Sequence, residues 1–299
     1  MTNRGKWYAI AAYGLWGLFP LYWKQLTSVV PLTQVLGHRV VWSFLVLLII
    51  IRLRKHGSLL REALHSPREW FTYALAAVLL GSNWLLFIWA LMSDFVVEAS
   101  LGYFINPLLN VLMGVVFLRE RLRRGQWFAV GLAASGVLYL TFIYGALPWI
   151  ALVLATSFGL YGFIKKTARL GPIDSLTFEM GLLFLPALLY LIWTDVTGEA
   201  AFFHSGFKAD CFMVCAGVVT TVPLLLFGAA TRRIPLSLIG MIQYLTPTMH
   251  LLLGVFLYHE PFTHARLIGF SFIWMALVVF ALEGLYNLKK SNEKIRGSG

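Results

Sequence analysis

Charge is scarce in this chain of 299 residues, at 12% against 59% hydrophobic, and the mean hydropathy is +0.77. Soluble domains carry roughly twice that share of charge. So little polar surface cannot keep so much apolar surface in water, so the solvent must be a bilayer. Cysteine is nearly absent. Cys211 and Cys215 stand four apart on one helix face with no further Cys or nearby His, which excludes a disulfide framework and a zinc site and leaves two small packing residues. There is no Walker sequence and no Gly-rich dinucleotide loop. No ATP hydrolysed on this chain powers it, and no cofactor is expected. His259-Glu260 with His264 imitates a zinc-protease motif, but the spacing is one residue too long and Pro261 breaks the helix it needs, so no metal is expected. No catalytic pair sits at one membrane interface, so an enzyme is not expected.

What is present is a series of ten apolar stretches near the ~20 residues a bilayer crossing needs. They fall at 7–23, 33–51, 71–92, 97–118, 127–144, 149–164, 174–193, 211–230, 236–257 and 266–286. They are continuous runs, so helices are expected rather than the short alternating strands of a barrel. No small-residue cleavage site follows the first, which is therefore read as a retained span. With the N-terminus inside, 20 of the 24 basic residues lie on the cytoplasmic side, among them Lys165, Lys166 and Arg169, while Lys24, Lys208 and Arg266 lie outside and Arg39 falls within a span. Both termini are then cytoplasmic, 289–299 is a basic tail, and the +11 net charge faces anionic lipid rather than nucleic acid. Segment 52–70, with five basic residues beside Leu59, Leu60, Leu64 and Trp70, reads as a short amphipathic helix on the cytoplasmic surface.

Residues 83–120 and 223–260 align without a gap, 140 apart, with nine identities that include Pro107/Pro247, Gly114/Gly254 and Glu120/Glu260. Five spans per half is an odd number, so the second copy enters from the opposite side. The fold expected is an all-α integral membrane protein of ten transmembrane helices in two inverted five-helix repeats, 1–145 and 146–288. Inverted repeats are a signature of alternating-access transport, although channels also use them.

Ionisable and amide groups at membrane depth are the functional candidates. Arg39, about 10 Å deep in the second span at 1.5 Å per residue, is expected to pair with Glu98 in the outer half as a gate or substrate anchor, unless that pair only locks helices. Glu179 is Arg39's counterpart in the repeat, and inversion puts it in the inner half. Glu98 and Glu179 are the candidate proton carriers, one toward each side. Asn106 and Asn110 beside Pro107, with Gln243 and His250 beside Pro247, mark the expected substrate seam. Asn83, Trp84, Tyr103 and Tyr244 are expected to line the same cavity, while Trp23 belongs to an interfacial belt. Against this, Asn and Gln can serve simply to hold helices together.

The segments His38-Arg39-Val40-Val41-Trp42-Ser43, Asn83 to Ala90 and Glu98 to Pro107, with Pro, Gly and Glu closing the fourth and ninth spans, resemble the drug/metabolite transporter superfamily, EamA type, and within it the RarD group. That group often has Gly before each closing Glu, where this chain has Arg119 and His259. The resemblance implies a permease of the bacterial inner membrane for a small amphipathic metabolite or drug. A secondary carrier, with proton coupling left open, is the reading that fits; a channel-like facilitator or a lipid scramblase on the same scaffold is the alternative. A monomer and a homodimer are both open, the small-residue face Gly131/Ser135 being the candidate contact.

Overall fold

The computed structural model describes residues 3–54, 58–145, 147–259 and 263–296. Among them every regular element is helical: α1 (Asn3–Gly17), α2 (Phe19–Thr27), α3 (Leu32–Arg54), α4 (Ser58–His65), α5 (Pro67–Met92), α6 (Val96–Val116), α7 (Arg124–Tyr144), α8 (Trp149–Thr167), α9 (Pro172–Val196), α10 (Phe207–Thr231), α11 (Leu236–Gln243), α12 (Leu245–Leu252), a π turn (Leu253–Leu257) and α13 (His264–Arg296).

Local chemistry sets the ends. Ser66 accepts from the Glu69 N–H ahead of Pro67 and so caps α5. Gly145, at φ 77°, closes α7 in the left-handed conformation that glycine tolerates. The segment read as a surface helix within 52–70 contributes α4, whose Leu60 and Ala63 pack against Tyr73, Leu170 and Phe178.

Nine stretches, α3, α5, α6 from Glu98, α7, α8, α9, α10, the α11-to-π-turn run and α13, are long and apolar enough to cross a bilayer. Their outward faces are greasy: Phe142, Val196 and Phe207 are 80%, 80% and 84% exposed, an arrangement that fits lipid and not water. The first expected span, 7–23, is instead divided between α1 and α2 at Leu18. Pro20 has no N–H to return to the Trp16 carbonyl, and the His250 ring nitrogen, 3.1 Å away, takes that carbonyl instead. The ninth expected span is also broken, at Tyr244, three residues before Pro247. Pro107, by contrast, leaves α6 whole.

The cysteine expectation is corrected: both Cys211 and Cys215 are exposed on α10. Hydropathy does not distinguish a lipid-facing position from a packed one.

Helix starts repeat. Leu32, Pro67, Val96 and Arg124 are followed 140 residues later by Pro172, Phe207, Leu236 and His264, each again opening a helix. Packing repeats too: α6 lies on α8 as α11 and α12 lie on α1, α5 on α8 as α10 on α1, and α3 on α10 as α9 on α5, while α3–α9, α6–α11 and α7–α13 pair across the halves. Close approach at two crossings depends on glycine, Gly217 against the Trp42 backbone and Gly240 against the Pro107 carbonyl, where a Cβ would collide.

Candidate functional site

Two charged residues occupy matching positions in the repeat, one on α3 and one on α9. Arg39 sits seven residues beyond Leu32, and Glu179 seven beyond Pro172.

Arg39 is partly buried. Its Nε donates to Thr220 Oγ1 at 3.1 Å on α10. The guanidinium lies 4.5 Å from the Trp84 ring centroid and 4.8 Å from that of Trp23. The hydroxyl of Tyr103 is close enough to interact with it electrostatically. Tyr103 in turn meets the His250 ring edge-on at 5.7 Å. Thr220 is buried, while Arg39, Trp23, Trp84, Tyr103 and His250 are partly accessible, so one cation sits in a partly open recess walled by rings. The expected Arg39–Glu98 pair is not formed. Glu98 instead accepts from the Ile150 N–H at 3.2 Å, at the start of α8. A carboxylate at a helix N-terminus is favoured by the free N–H groups and the dipole there. Trp23, expected in an interfacial belt, belongs to the recess, because α2 turns it inward after the break at Leu18.

Glu179 is fully buried, and Lys165 Nζ reaches its Oε1 at 2.8 Å. Tyr161 donates to Oε2 at 3.0 Å, and Lys165 also donates to Ser175 Oγ at 2.5 Å. Lys165 was expected among cytoplasmic basic residues, yet it is 4% exposed. Beside this pair an aromatic stack fills the interior. Tyr161 lies on Phe227 with centroids 6.1 Å apart, and Trp16 contacts Tyr13, Phe158 and Phe227.

Between them, the amides form a closed network. Gln243 Nε2 donates to Asn106 Oδ1. Asn110 Nδ2 reaches Gln243 Oε1 at 2.7 Å, Tyr13 OH reaches the same oxygen at 3.2 Å, and Asn106 Nδ2 donates to the Ala155 carbonyl at 2.5 Å. All four side chains are buried. The seam around Pro107 and Pro247 therefore joins α1, α6, α8 and α11, and its amides are occupied with one another. Asn110 Oδ1 alone of this set has no hydrogen-bond partner among the described residues. Asn83 likewise ties α5 to α8, donating to the Leu154 carbonyl at 2.8 Å and to Ser157 Oγ at 2.9 Å. Tyr244 does not line the recess: it is fully buried beside Phe104, Ala133 and Phe270 and donates to the Phe104 carbonyl at 3.2 Å.

One end of the molecule is stitched by capping. Glu120 accepts from the N–H groups of Leu236 and Ser237, at 2.7 and 2.9 Å, where α11 begins. Lys166 donates to the Thr231 and Ile234 carbonyls at the end of α10, and Arg232 to the Ala168 and Leu170 carbonyls just past α8. Anions at helix starts and cations at helix ends are the favourable pairing. Glu260, the repeat partner of Glu120, lies outside the described residues.

Comparison with known proteins bears on both halves. The EamA-like transporter family matches residues 3–142 and again 147–282. A protein named RarD from Streptomyces exfoliatus is 44% identical over 295 residues, covering 98% of this chain and 93% of the relative. An uncharacterized transporter from Vibrio cholerae is 44% identical over 284 residues, 95% of this chain and 94% of the relative. A solved crystal structure superposes with TM-score 0.72 at 20% identity, over 94% of this chain and 99% of that one; at that identity it speaks to the fold alone.

Proposed function

Because the chain belongs to the EamA-like transporter family, and within it to the RarD group, we propose that this multi-pass membrane transporter is a secondary carrier. It moves a small amphipathic solute by alternating access between two inverted five-helix repeats, 1–145 and 146–288, with 289–299 as a basic tail. The carrying observation is the 140-residue recurrence of helix starts together with packing in which every major pair maps onto another or onto itself. α9 is the fifth crossing after α3, so α3 and α9 run in opposite directions, and residues at matching positions sit near opposite faces. The excess of basic residues on one side supports cytoplasmic termini, and the likeness to bacterial RarD proteins supports a bacterial inner-membrane location.

On this reading Arg39 and its aromatic recess open toward the outer face, and the inner half is shut. Lys165, Glu179, Tyr161, Tyr13 and Phe227 are all buried at 4% exposure or less, and a continuous open pore is incompatible with so dry a plug. Switching exchanges the roles of the halves about α6 and α11. Protonation of Glu179 would cancel its ion pair with Lys165 and loosen the plug, which offers a route for proton coupling.

A thermal-shift screen of purified protein against metabolites and antibiotics supplies a ligand, and counterflow of that ligand in proteoliposomes tests the mechanism. Stimulation by ligand on the far side is expected, and its absence favours a channel-like facilitator. Flux indifferent to an imposed pH gradient would overturn the coupling while leaving the carrier.

A further inference from the structure

We infer that the solute is an organic monoanion, a single carboxylate on an aromatic or aliphatic body. The inference rests on the carrier reading above and deepens it. Trp84 and Trp23 take the Arg39 guanidinium at 4.5 and 4.8 Å from their ring centroids. Such contacts use the π faces of rings and leave the in-plane N–H bonds of the cation for other partners. One of these, on Nε, reaches Thr220. The four on the terminal nitrogens have no acceptor among the described residues, and no carboxylate there lies at ion-pair distance from Arg39. A partly buried cation at hydrocarbon depth with vacant, forked donors is costly. A planar carboxylate satisfies both its charge and its geometry with two parallel hydrogen bonds.

The rest of the interior narrows the class. A phosphate dianion would call for a second cation. Lys24 lies over the Tyr258 ring at 3.6 Å, Lys208 donates to Gln25 at 3.2 Å, and the His250 ring nitrogen is held at the Trp16 carbonyl. An organic cation would call for a carboxylate. Glu98 holds the Ile150 N–H, and Glu179 holds Lys165 and Tyr161. The walls offered to the remainder of the solute are the rings of Trp84, Trp23 and Tyr103.

The test uses three acids beside their own neutral amides: benzoate and benzamide, indole-3-acetate and indole-3-acetamide, octanoate and octanamide. Benzyl phosphate and tryptamine serve as the dianion and the cation. Thermal-shift titration of the purified wild-type protein is expected to show at least one acid half-saturating about tenfold or more below its amide. Arg39→Gln should abolish that difference, and Arg39→Lys should keep part of it. The inference falls if no acid is preferred over its amide in the wild type, including the case in which no acid binds. It falls equally if the preference survives Arg39→Gln, or if benzyl phosphate or tryptamine binds tighter than benzoate. The two readings separate in counterflow. Amides that bind and exchange as well as acids leave the carrier standing and sink the anion. Acids that bind through Arg39 but never exchange do the reverse.

Discussion

Arg39 and Glu179 occupy the same position in their helices, seven residues beyond Leu32 and Pro172, yet their surroundings are opposite. Glu179 is sealed, with a cation 2.8 Å away and a phenol 3.0 Å away. Arg39 is partly open, held by one hydroxyl and two indole faces. A charge whose partners are all supplied by the chain is a structural device in the conformation seen. A charge left with vacant donors is a site waiting for a ligand. If the halves exchange roles during transport, each position must pass through both conditions, and the difference marks which face is open.

The sharpest way to break that comparison is at the sealed side. Glu179→Gln strips Lys165 of its counter-charge at a position with no access to water, and loss of one partner of a buried pair typically costs about 3–5 kcal/mol. The expected outcome is a sharply lower melting temperature and poor recovery of folded protein by size-exclusion chromatography. The double replacement Glu179→Leu with Lys165→Met removes both charges and should recover most of the loss. Should Glu179→Gln melt with the wild type, the pair is not the lock described here.

At the open side the expectation is inverted. Arg39→Ala should leave the amount of protein in the membrane and its melting temperature near wild type, because no buried counter-charge is stranded. Transport of a ligand found by screening should fall by about tenfold or more, in line with the loss of a charge-assisted hydrogen bond. Wild-type flux in that variant would remove Arg39 from the site.

The amide network between the two sides should respond less. Gln243→Leu leaves Asn106 and Asn110 short of partners within the bundle. Buried unsatisfied groups cost about 1–3 kcal/mol, although polar contacts between membrane helices average nearer ~0.6 kcal/mol. An intermediate fall in melting temperature is expected. A fall as large as that of Glu179→Gln would place the main lock at the seam instead.

Much of the architecture was legible in the sequence, since the apolar runs gave the helices and the scarce Pro107/Pro247 and Gly114/Gly254 pairs gave the 140-residue spacing. The site was legible in part. Arg39, Trp84 and Tyr103 stood out because they were read at membrane depth, and folding sets Trp84 and Tyr103 beside Arg39. Lys165 did not stand out, because a lysine near the end of an apolar run looks like a loop cation. Its burial is set by Glu179, which only folding brings alongside. Tyr244 was misplaced because it stands at a break that the apolar run hides: α11 ends at Gln243 and α12 begins at Leu245. Such an interruption resets which face a residue presents. The Arg39–Glu98 pairing failed because depth alone was matched, while the helix N-terminus at Ile150 was the stronger claim on that carboxylate.

The smallest effect tests the two halves directly. Arg119 and His259, 140 residues apart, both adopt the left-handed conformation, at φ 53° and 54°. For an L-residue that conformation costs roughly 1–2 kcal/mol, and glycine escapes it at an entropic cost of about 0.5–1 kcal/mol in the unfolded chain. Arg119→Gly and His259→Gly should therefore each raise stability by no more than about 1 kcal/mol, read as a small rise in melting temperature, and by similar amounts if the turns are equivalent. Arg119→Gly carries the cleaner expectation, because the side-chain carboxylate of the next residue, Glu120, accepts from backbone N–H groups at the α11 N-terminus, bonds that the replacement does not touch. Alanine at the same positions relieves no strain and should give no gain. Stabilisation at one turn and destabilisation at the other would mean that the matching dihedral angles do not reflect matching turns.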